Sequence, residues 1–416
     1  MAEIPRDTAP DSTLALLGEG HDFISGRCRK YRSDIFETRL MLEKAICAMG
    51  EEASEVFYSP DRFTRQGAMP QTALRMLQDR GSVQLLDGED HHRRKAMFMS
   101  LMGSESIGQL ADAMAGYWRE RLGRGGETVI LHDEARAILC WAACEWAGVP
   151  LAEPEAGRRT REFSAMIEGA GTVGPSNWRG HLLSRRTERW AARVMGKSRS
   201  GELAAPEGSA IHAIASHRQP DGSLLPAQTA AVELLNVLRP IVAVGRYITF
   251  AALALHEHPE CRRKLEAEGE KYLEMFVQEV RRFYPFFPFI GGRVRQEFDW
   301  RGRHFPEGWW MILDLYGTNH DPRIWDEPES FRPERFGGQS IGAFDLIPQG
   351  GGDHYSRHRC AGEWLIITLM KRAVRLLTES TRYAVPGQEL RIRLQRMPAI
   401  PESGFVMSNV RSSPAR

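Results

Sequence analysis

The run Ile347-Pro-Gln-Gly-Gly-Gly-Asp-His-Tyr-Ser-Arg-His-Arg-Cys360-Ala-Gly-Glu-Trp364 decides how this chain is read. Three consecutive glycines, Gly350, Gly351 and Gly352, and several donor side chains precede Cys360. From Ala361 to about Thr378, the apolar residues Trp364, Leu365, Ile366, Leu369, Met370, Val374, Leu376 and Leu377 recur at helical spacing. Cys360 therefore stands where a glycine-rich loop enters a helix. Unpaired backbone N–H groups and the positive end of the helix dipole favour a thiolate there. The competing reading is a phosphate cradle, but no Gly-Lys-Ser/Thr follows and no strand–GxGxxG–helix unit surrounds it.

Most cysteines are small buried hydrophobes. Here Arg357, His358 and Arg359 put cationic donors beside the sulfur, and Gly362 lets a flat ligand press against the backbone. An axial thiolate to haem iron, with the cationic neighbours at the propionates, fits this arrangement.

The 416 residues carry 55 Lys+Arg against 54 Asp+Glu, a formal net charge of +1, which gives no global reason to bind nucleic acid or an anionic membrane. The six cysteines, Cys28, Cys47, Cys140, Cys144, Cys261 and Cys360, have no zinc-finger spacing and no CxxC; Cys140 and Cys144, four apart on a helical stretch, read as core filler. The start Met1-Ala-Glu-Ile-Pro lacks a basic and then apolar leader. No apolar run reaches the roughly 18–20 residues of a membrane span. A soluble, reduced, cytoplasmic protein is expected.

Working outward, residues 1 to about 15 and 410–416 read as loose, and the first 30 as polar. Asp34–Ala48 and Glu55-Val-Phe-Tyr58 are candidate strands of a small sheet. Helices are expected over Thr72–Gln78, His91–Leu101, Glu105–Leu122 and Leu131–Trp146, the last stopped by Gly148-Val-Pro150. After the break Gly169–Pro175 comes a basic helix, Arg179–Met195, whose charges read as a solvated face, and Ser198–Gly208 reads as a surface loop. Pro226–His256 is the longest apolar helical run and the candidate central helix; Pro259–Tyr284 is another helix, stopped at Pro285. Val294–Trp300, Arg303–Phe305 and Trp309–Leu315 read as short strands. One mainly α domain with small β-sheets, spanning 1–416, is the economical reading.

Glu279-Val-Arg-Arg282 sets a carboxylate and a guanidinium three apart on one helical face, and the following Phe283-Tyr-Pro-Phe-Phe-Pro-Phe289 argues that this helix end is buried. Fifty residues on, Phe331-Arg-Pro-Glu-Arg-Phe336 offers another guanidinium, Arg335. With Cys360 these landmarks resemble the cytochrome P-450 superfamily, from about residue 15 to 410: the ExxR pair Glu279 and Arg282, the PERF-type segment at Pro333–Phe336, and the CxG at Cys360 and Gly362. The resemblance implies the P-450 fold, haem b held by Cys360 between a long central helix and the cysteine loop, and a structural salt-bridge network of Glu279, Arg282 and Arg335. It also implies that His91 and Lys95, in His91-His-Arg-Arg-Lys95, reach a haem propionate with His358; an exposed basic face is the alternative. Two positions depart from ordinary members, with Asp353 where a Phe stands seven before the cysteine and Ser356 where a Gly stands four before it.

The central helix departs further. In place of an acid–alcohol pair it has Asn236-Val-Leu-Arg-Pro240, with Arg239 amid apolar residues. A buried guanidinium is costly unless something anionic meets it. Pro240 removes a backbone donor and opens the helix. Glu233, six residues away, falls on a different face at 3.6 residues per turn. A substrate carboxylate could supply the anion through two parallel hydrogen bonds. The alternatives are a distant protein carboxylate or haem for Arg239, and a propionate or structural contact for Arg246, two turns along.

Arg-Pro at this place, Gln349-Gly-Gly-Gly-Asp-His354 and the segment Arg246–Pro259 resemble the bacterial fatty-acid peroxygenase branch. That resemblance implies hydroxylation of long-chain fatty acids at carbon α or β by hydrogen peroxide, with no redox partner. The substrate carboxylate on Arg239 acts as general base and then acid, and thiolate donation from Cys360 favours O–O cleavage. Gln84 aligns with a distal position where members with His lean towards decarboxylation to an alkene; Gln points to hydroxylation. Gln78 and Asp79 stand where an aromatic is expected. Phe287, Pro288 and Phe289 are expected to wall the alkyl channel, with plain core packing as the alternative. A decarboxylase, a dioxygen- and reductase-dependent monooxygenase and a haem-thiolate sensor are the rival functions.

Overall fold

In the computed structural model, which describes residues 4–77, 81–123, 126–338 and 340–412, the longest apolar stretch forms two successive helices, Ala227–Ala243 and Gly245–Glu257. Every residue from Gly245 to Leu255 is buried. By length and composition alone Ala227–Glu257 would suffice to cross a membrane, but 89% of its apolar window is buried inside the molecule, so it is the core helix. The helices Leu131–Trp146, Glu153–Ala170, Pro175–Ser200, Glu270–Phe283 and Glu363–Arg375 pack on it. Apolar residues at helical spacing face it from all of them, which gives one large continuous core.

Beside this helical mass lies a five-stranded sheet in the order Ile35–Leu40, Glu43–Ala48, Trp310–Asp314, Phe289–Val294, Phe63–Thr64. Only the pairing of Glu43–Ala48 with Trp310–Asp314 is parallel. A three-stranded sheet joins Glu127–Ile130, Val406–Ser412 and Thr381–Ala384, and Phe298–Trp300 pairs with Arg303–Phe305.

Several sequence expectations change. Residues Glu51–Phe57 form a helix, not a strand, with Glu51 and Glu52 in its first turn where the dipole favours them. The N-terminal region is tied down: Asp7 N–H donates to the Glu37 carbonyl (2.8 Å), and Thr13–Glu19 and Phe23–Tyr31 are helices. Residues 410–412 belong to a strand. The helix expected over Pro259–Tyr284 is two, parted at Gly269, whose φ of +60° suits glycine. The basic helix runs to Ser200, into the expected loop.

The ExxR pair is fully buried. Arg282 grips Glu279 through Nε and Nη2, both at 2.8 Å, and donates to the Asn319 and Pro328 carbonyls at 2.9 Å. Arg335 Nε lies 3.2 Å from the same carboxylate, and its Nη1 donates to the Asp326 carbonyl at 2.6 Å. Removing one member leaves a buried charge uncompensated. Glu279→Ala is therefore expected to lower stability by about 3–5 kcal/mol, read as a fall in the denaturation midpoint.

Asp314, at the end of its strand, accepts from the Gly317 N–H at 2.6 Å and caps Leu315–Asn319. Burial pushes its carboxyl up to about 7. A carboxyl raised on folding favours the folded state at low pH and loses that advantage as pH climbs towards 7. Asp314→Asn keeps the cap, so it is expected to raise the melting temperature at pH 8 and leave it nearly unchanged at pH 4.

Candidate active site

The loop before Cys360 is shaped by close approaches. Gly350 has φ +94° and a Cβ there would lie 2.9 Å from the Tyr58 hydroxyl; Gly352 has φ +83° and would meet Arg357 Cγ at 3.0 Å. The glycines thus serve the turn, not a phosphate. Asp353 occupies the departure from the family pattern by organising its own loop: Oδ1 accepts from Tyr355 N–H (3.0 Å), Ser356 N–H (2.8 Å) and Ser356 Oγ (2.7 Å).

The helix after Cys360 starts at Glu363, not Ala361, with Gly362 as its cap residue. Glu363, which the sequence reading missed, is the loop's anchor. It takes Arg359 Nε at 2.6 Å, His354 at 2.9 Å and the buried Arg281. Burial opposes its charge, but Arg281, His354 and Arg359 hold it well below the usual carboxylate range. Arg281 also donates to Gln349 Oε1 at 2.7 Å, so the residue beside the ExxR arginine clamps both ends of the cysteine loop.

Burial, then Glu363, push the Cys360 thiol up, against the Gly362 N–H, Lys95 and Arg281. A coordinated metal reverses that balance, since a thiol bound to it is deprotonated.

The helix Gly88–Ser100 docks on this loop. Lys95 Nζ donates to the Arg359 carbonyl at 2.6 Å and to that of Arg357; the His91 and His358 rings lie 4.1 Å apart; His92 Nε2 is 3.1 Å from the Ser356 carbonyl. The structure thus brings His91, Lys95 and His358 together. It adds Arg65, which the sequence reading missed, buried 4.2 Å above the Phe57 ring and donating to the Gly291 carbonyl at 2.9 Å. Burial lowers all four: His91 to about 4, Lys95 to about 8, His358 well below its ordinary value, and Arg65. Among the described residues, none of the four has a carboxylate within 4.0 Å. A Cβ at Gly362 would meet only the Cys360 sulfur, at 3.9 Å. A single soft sulfur ligand, open space over the glycine and a buried cluster short of negative charge fit a haem with two propionates.

On the central helix, Arg239 is 5% exposed and Pro240 lies inside the helix. Arg239 Nη2 donates to Asn236 Oδ1 at 2.9 Å and to the Leu77 carbonyl. Gln84 stands in the short turn Val83–Leu85 and accepts from Asn236 Nδ2 at 3.3 Å. Gln84, Asn236 and Arg239 therefore form one cluster. Glu233 is fully buried and taken by Arg94 (2.7 Å), the Val83 N–H (2.9 Å) and Asn236 (3.0 Å). Gln78 and Asp79 lie outside the described residues.

Arg246 does not join the propionate-side cluster. Its guanidinium is engaged by Glu168 and by the Ala399 carbonyl at 3.1 Å, so of its two expected roles the geometry gives the structural one. Phe287 is 43% exposed and is not core packing; Phe286 instead stacks on Tyr247, centroids 4.3 Å apart. Phe289 pairs with Asp314 in the sheet, and the Pro288 carbonyl accepts from Leu315 N–H at 3.0 Å.

A family model described as Cytochrome P450 matches residues 251–394. Among curated proteins, "Cytochrome P450 4e5, mitochondrial" of Drosophila mettleri is 28% identical over 152 residues, 32% of this chain and 28% of that protein. The match thus spans little more than a quarter of that relative's length. Solved structures match throughout. Cytochrome P450EX alpha (CYP152N1), wild-type with myristic acid, has a TM-score of 0.96 and 42% identity, covering 99% of this chain and 100% of that one. Cytochrome P450SP alpha (CYP152B1) in complex with (R)-ibuprofen has a TM-score of 0.93 and 46% identity, covering 97% and 99%.

Proposed function

The chain belongs to the cytochrome P450 family, alongside its CYP152 members, and from that premise we propose that it is a haem-thiolate peroxygenase that uses hydrogen peroxide to hydroxylate long-chain fatty acids at carbon α or β. The observation that carries this is Arg239, buried beside Pro240, in a chain so similar along its whole length to a protein solved with myristic acid. Myristic acid and ibuprofen are both carboxylic acids, the group a guanidinium binds by two parallel hydrogen bonds.

Cys360 would hold the haem, with Arg65, His91, Lys95 and His358 on the side of its propionates, and the haem would supply the oxidising chemistry. The polypeptide's share is orientation. Arg239 holds the fatty-acid carboxylate head-first. That carboxylate takes a proton from one oxygen of hydrogen peroxide and returns it to the other, as general base and then acid. In the balanced reaction the O–O bond and one C–H bond break, a C–OH forms, and the second oxygen leaves as water. Peroxide brings both electrons, so no redox partner is required. With the head group pinned, the carbons next to it are the ones within reach. Gln84, through Asn236, borders the same head-group site, and Phe287 walls the chain.

The test is incubation of the haem-loaded protein with tetradecanoic acid and hydrogen peroxide, without reductase, and products identified by mass. Hydroxy acid is the expected product. A one-carbon-shorter terminal alkene as the main product assigns decarboxylation instead, and turnover only with dioxygen and a reductase overturns the proposal.

A further inference from the structure

Glu233 has no part in the chemistry above, yet it is a fully buried carboxylate three residues from Asn236 and six from Arg239. The two charged residues fall on different faces of the helix. Asn236 bridges them in two steps of three residues, each closed by a hydrogen bond, 3.0 Å to Glu233 and 2.9 Å to Arg239. We propose that Glu233 is a positioning residue for Arg239, acting by fixing which way the Asn236 amide faces.

A side-chain amide has a donor end and an acceptor end. Asn236 Nδ2 donates to Glu233 Oε2 and to Gln84 Oε1, and Oδ1 accepts from Arg239 Nη2. Reversing the amide would set Oδ1 against a carboxylate and an NH2 against a guanidinium. Both contacts would then oppose like groups in a buried place, where unmade hydrogen bonds cost most. Burial pushes the Glu233 carboxyl up, opposed by Asn236, Arg94 and the Val83 N–H; paired with Arg94 it is a carboxylate that only accepts, and so enforces one orientation. Its other oxygen, Oε1, is held by Arg94 Nη1 at 2.7 Å and the Val83 N–H at 2.9 Å, which keeps Oε2 for Asn236. The Val83 contact also ties the turn carrying Gln84 to the central helix. Both distal side chains thus hang from one buried acid, and Arg94, which the sequence reading left on a basic helix, is its counter-ion.

The proposal rests on Arg239 being the carboxylate anchor, and the experiment separates the two ideas. In Glu233→Gln, the glutamine can satisfy Arg94 and Val83 through its carbonyl only by turning its NH2 to Asn236. That reverses the Asn236 amide and presents a donor to Arg239. Tetradecanoic acid binding is measured in the haem-loaded enzyme from the low- to high-spin Soret shift, with peroxide-driven kcat and KM alongside. The variant is expected to bind the acid at least tenfold more weakly, with a rise in KM exceeding the fall in kcat. Its carbon-monoxide difference spectrum should keep the thiolate signature, and Glu233→Asp, which still only accepts, should recover part of the affinity. A merely structural carboxylate would lower the melting temperature without that selective loss. Affinity within twofold of the parent, in a background where Arg239→Ala abolishes binding, overturns the proposal; an Arg239→Ala that still binds overturns the anchoring role itself. Should Glu233→Gln fail to take up haem, Asn236→Ala breaks the same relay and carries the same two outcomes.

Discussion

Arg239→Ala is expected to lower kcat/KM for peroxide-driven oxidation of long-chain fatty acids by about 10³-fold or more. Two losses combine. Truncating one partner of a buried, hydrogen-bonded charge pair costs about 2–5 kcal/mol. A carboxylate no longer held near the peroxide also forfeits general acid–base assistance, typically about 10²–10⁴-fold. Arg239 is 5% exposed and shares a cluster with Asn236 and Gln84, so alanine leaves a polar hollow and does not unpick the core. Haem content and the thiolate signature of the carbon-monoxide complex should match the parent, because Cys360 and its Glu363 clamp are untouched. Arg239→Lys should fall between the two. It keeps the charge but not the planar fork that holds both carboxylate oxygens. Steady-state kinetics on one fatty acid across the three proteins checks the order.

Cys360→Ser is expected to bring peroxide-driven turnover to background by a different route. Oxygen is a poorer electron donor than thiolate sulfur, so the assistance to O–O cleavage disappears. The fold should survive, since Arg281, His354 and Arg359 hold the loop through Glu363 and not through the sulfur. The two variants are thus told apart by spectroscopy. Arg239→Ala loses the fatty-acid-induced spin shift and keeps the thiolate signature, whereas Cys360→Ser loses the signature itself. Circular dichroism of both should match the parent.

What could be read from the chain alone was what is written within a few consecutive residues. The glycine loop before Cys360, the Glu279–Arg282 pair and Arg239-Pro240 each declare themselves by spacing, and the helices from Gln71 to Trp146 follow from apolar periodicity. What escaped depends on partners far apart in sequence. Arg94 meets Glu233 across 139 positions, Arg281 meets Glu363 across 82, and Arg246 meets Glu168 across 78. No local pattern distinguishes these arginines from solvated ones; only folding reveals that each is buried. A propionate therefore stays among the readings of Arg246 until Glu168 and the Ala399 carbonyl are seen against it. The strand expected at Glu55–Tyr58 failed on a signal that was present, two acids following Gly50 at a helix start.

The account's central claim is that the substrate completes the catalyst with its own carboxylate. The most direct measurement compares tetradecanoic acid with its methyl ester under hydrogen peroxide, at equal concentration, in the same haem-loaded protein. The ester has the same chain but neither the charge to bind Arg239 nor an oxygen able to accept and return a proton. The account predicts hydroxylated acid and no oxidised ester; oxidation of the ester at a comparable rate would contradict it.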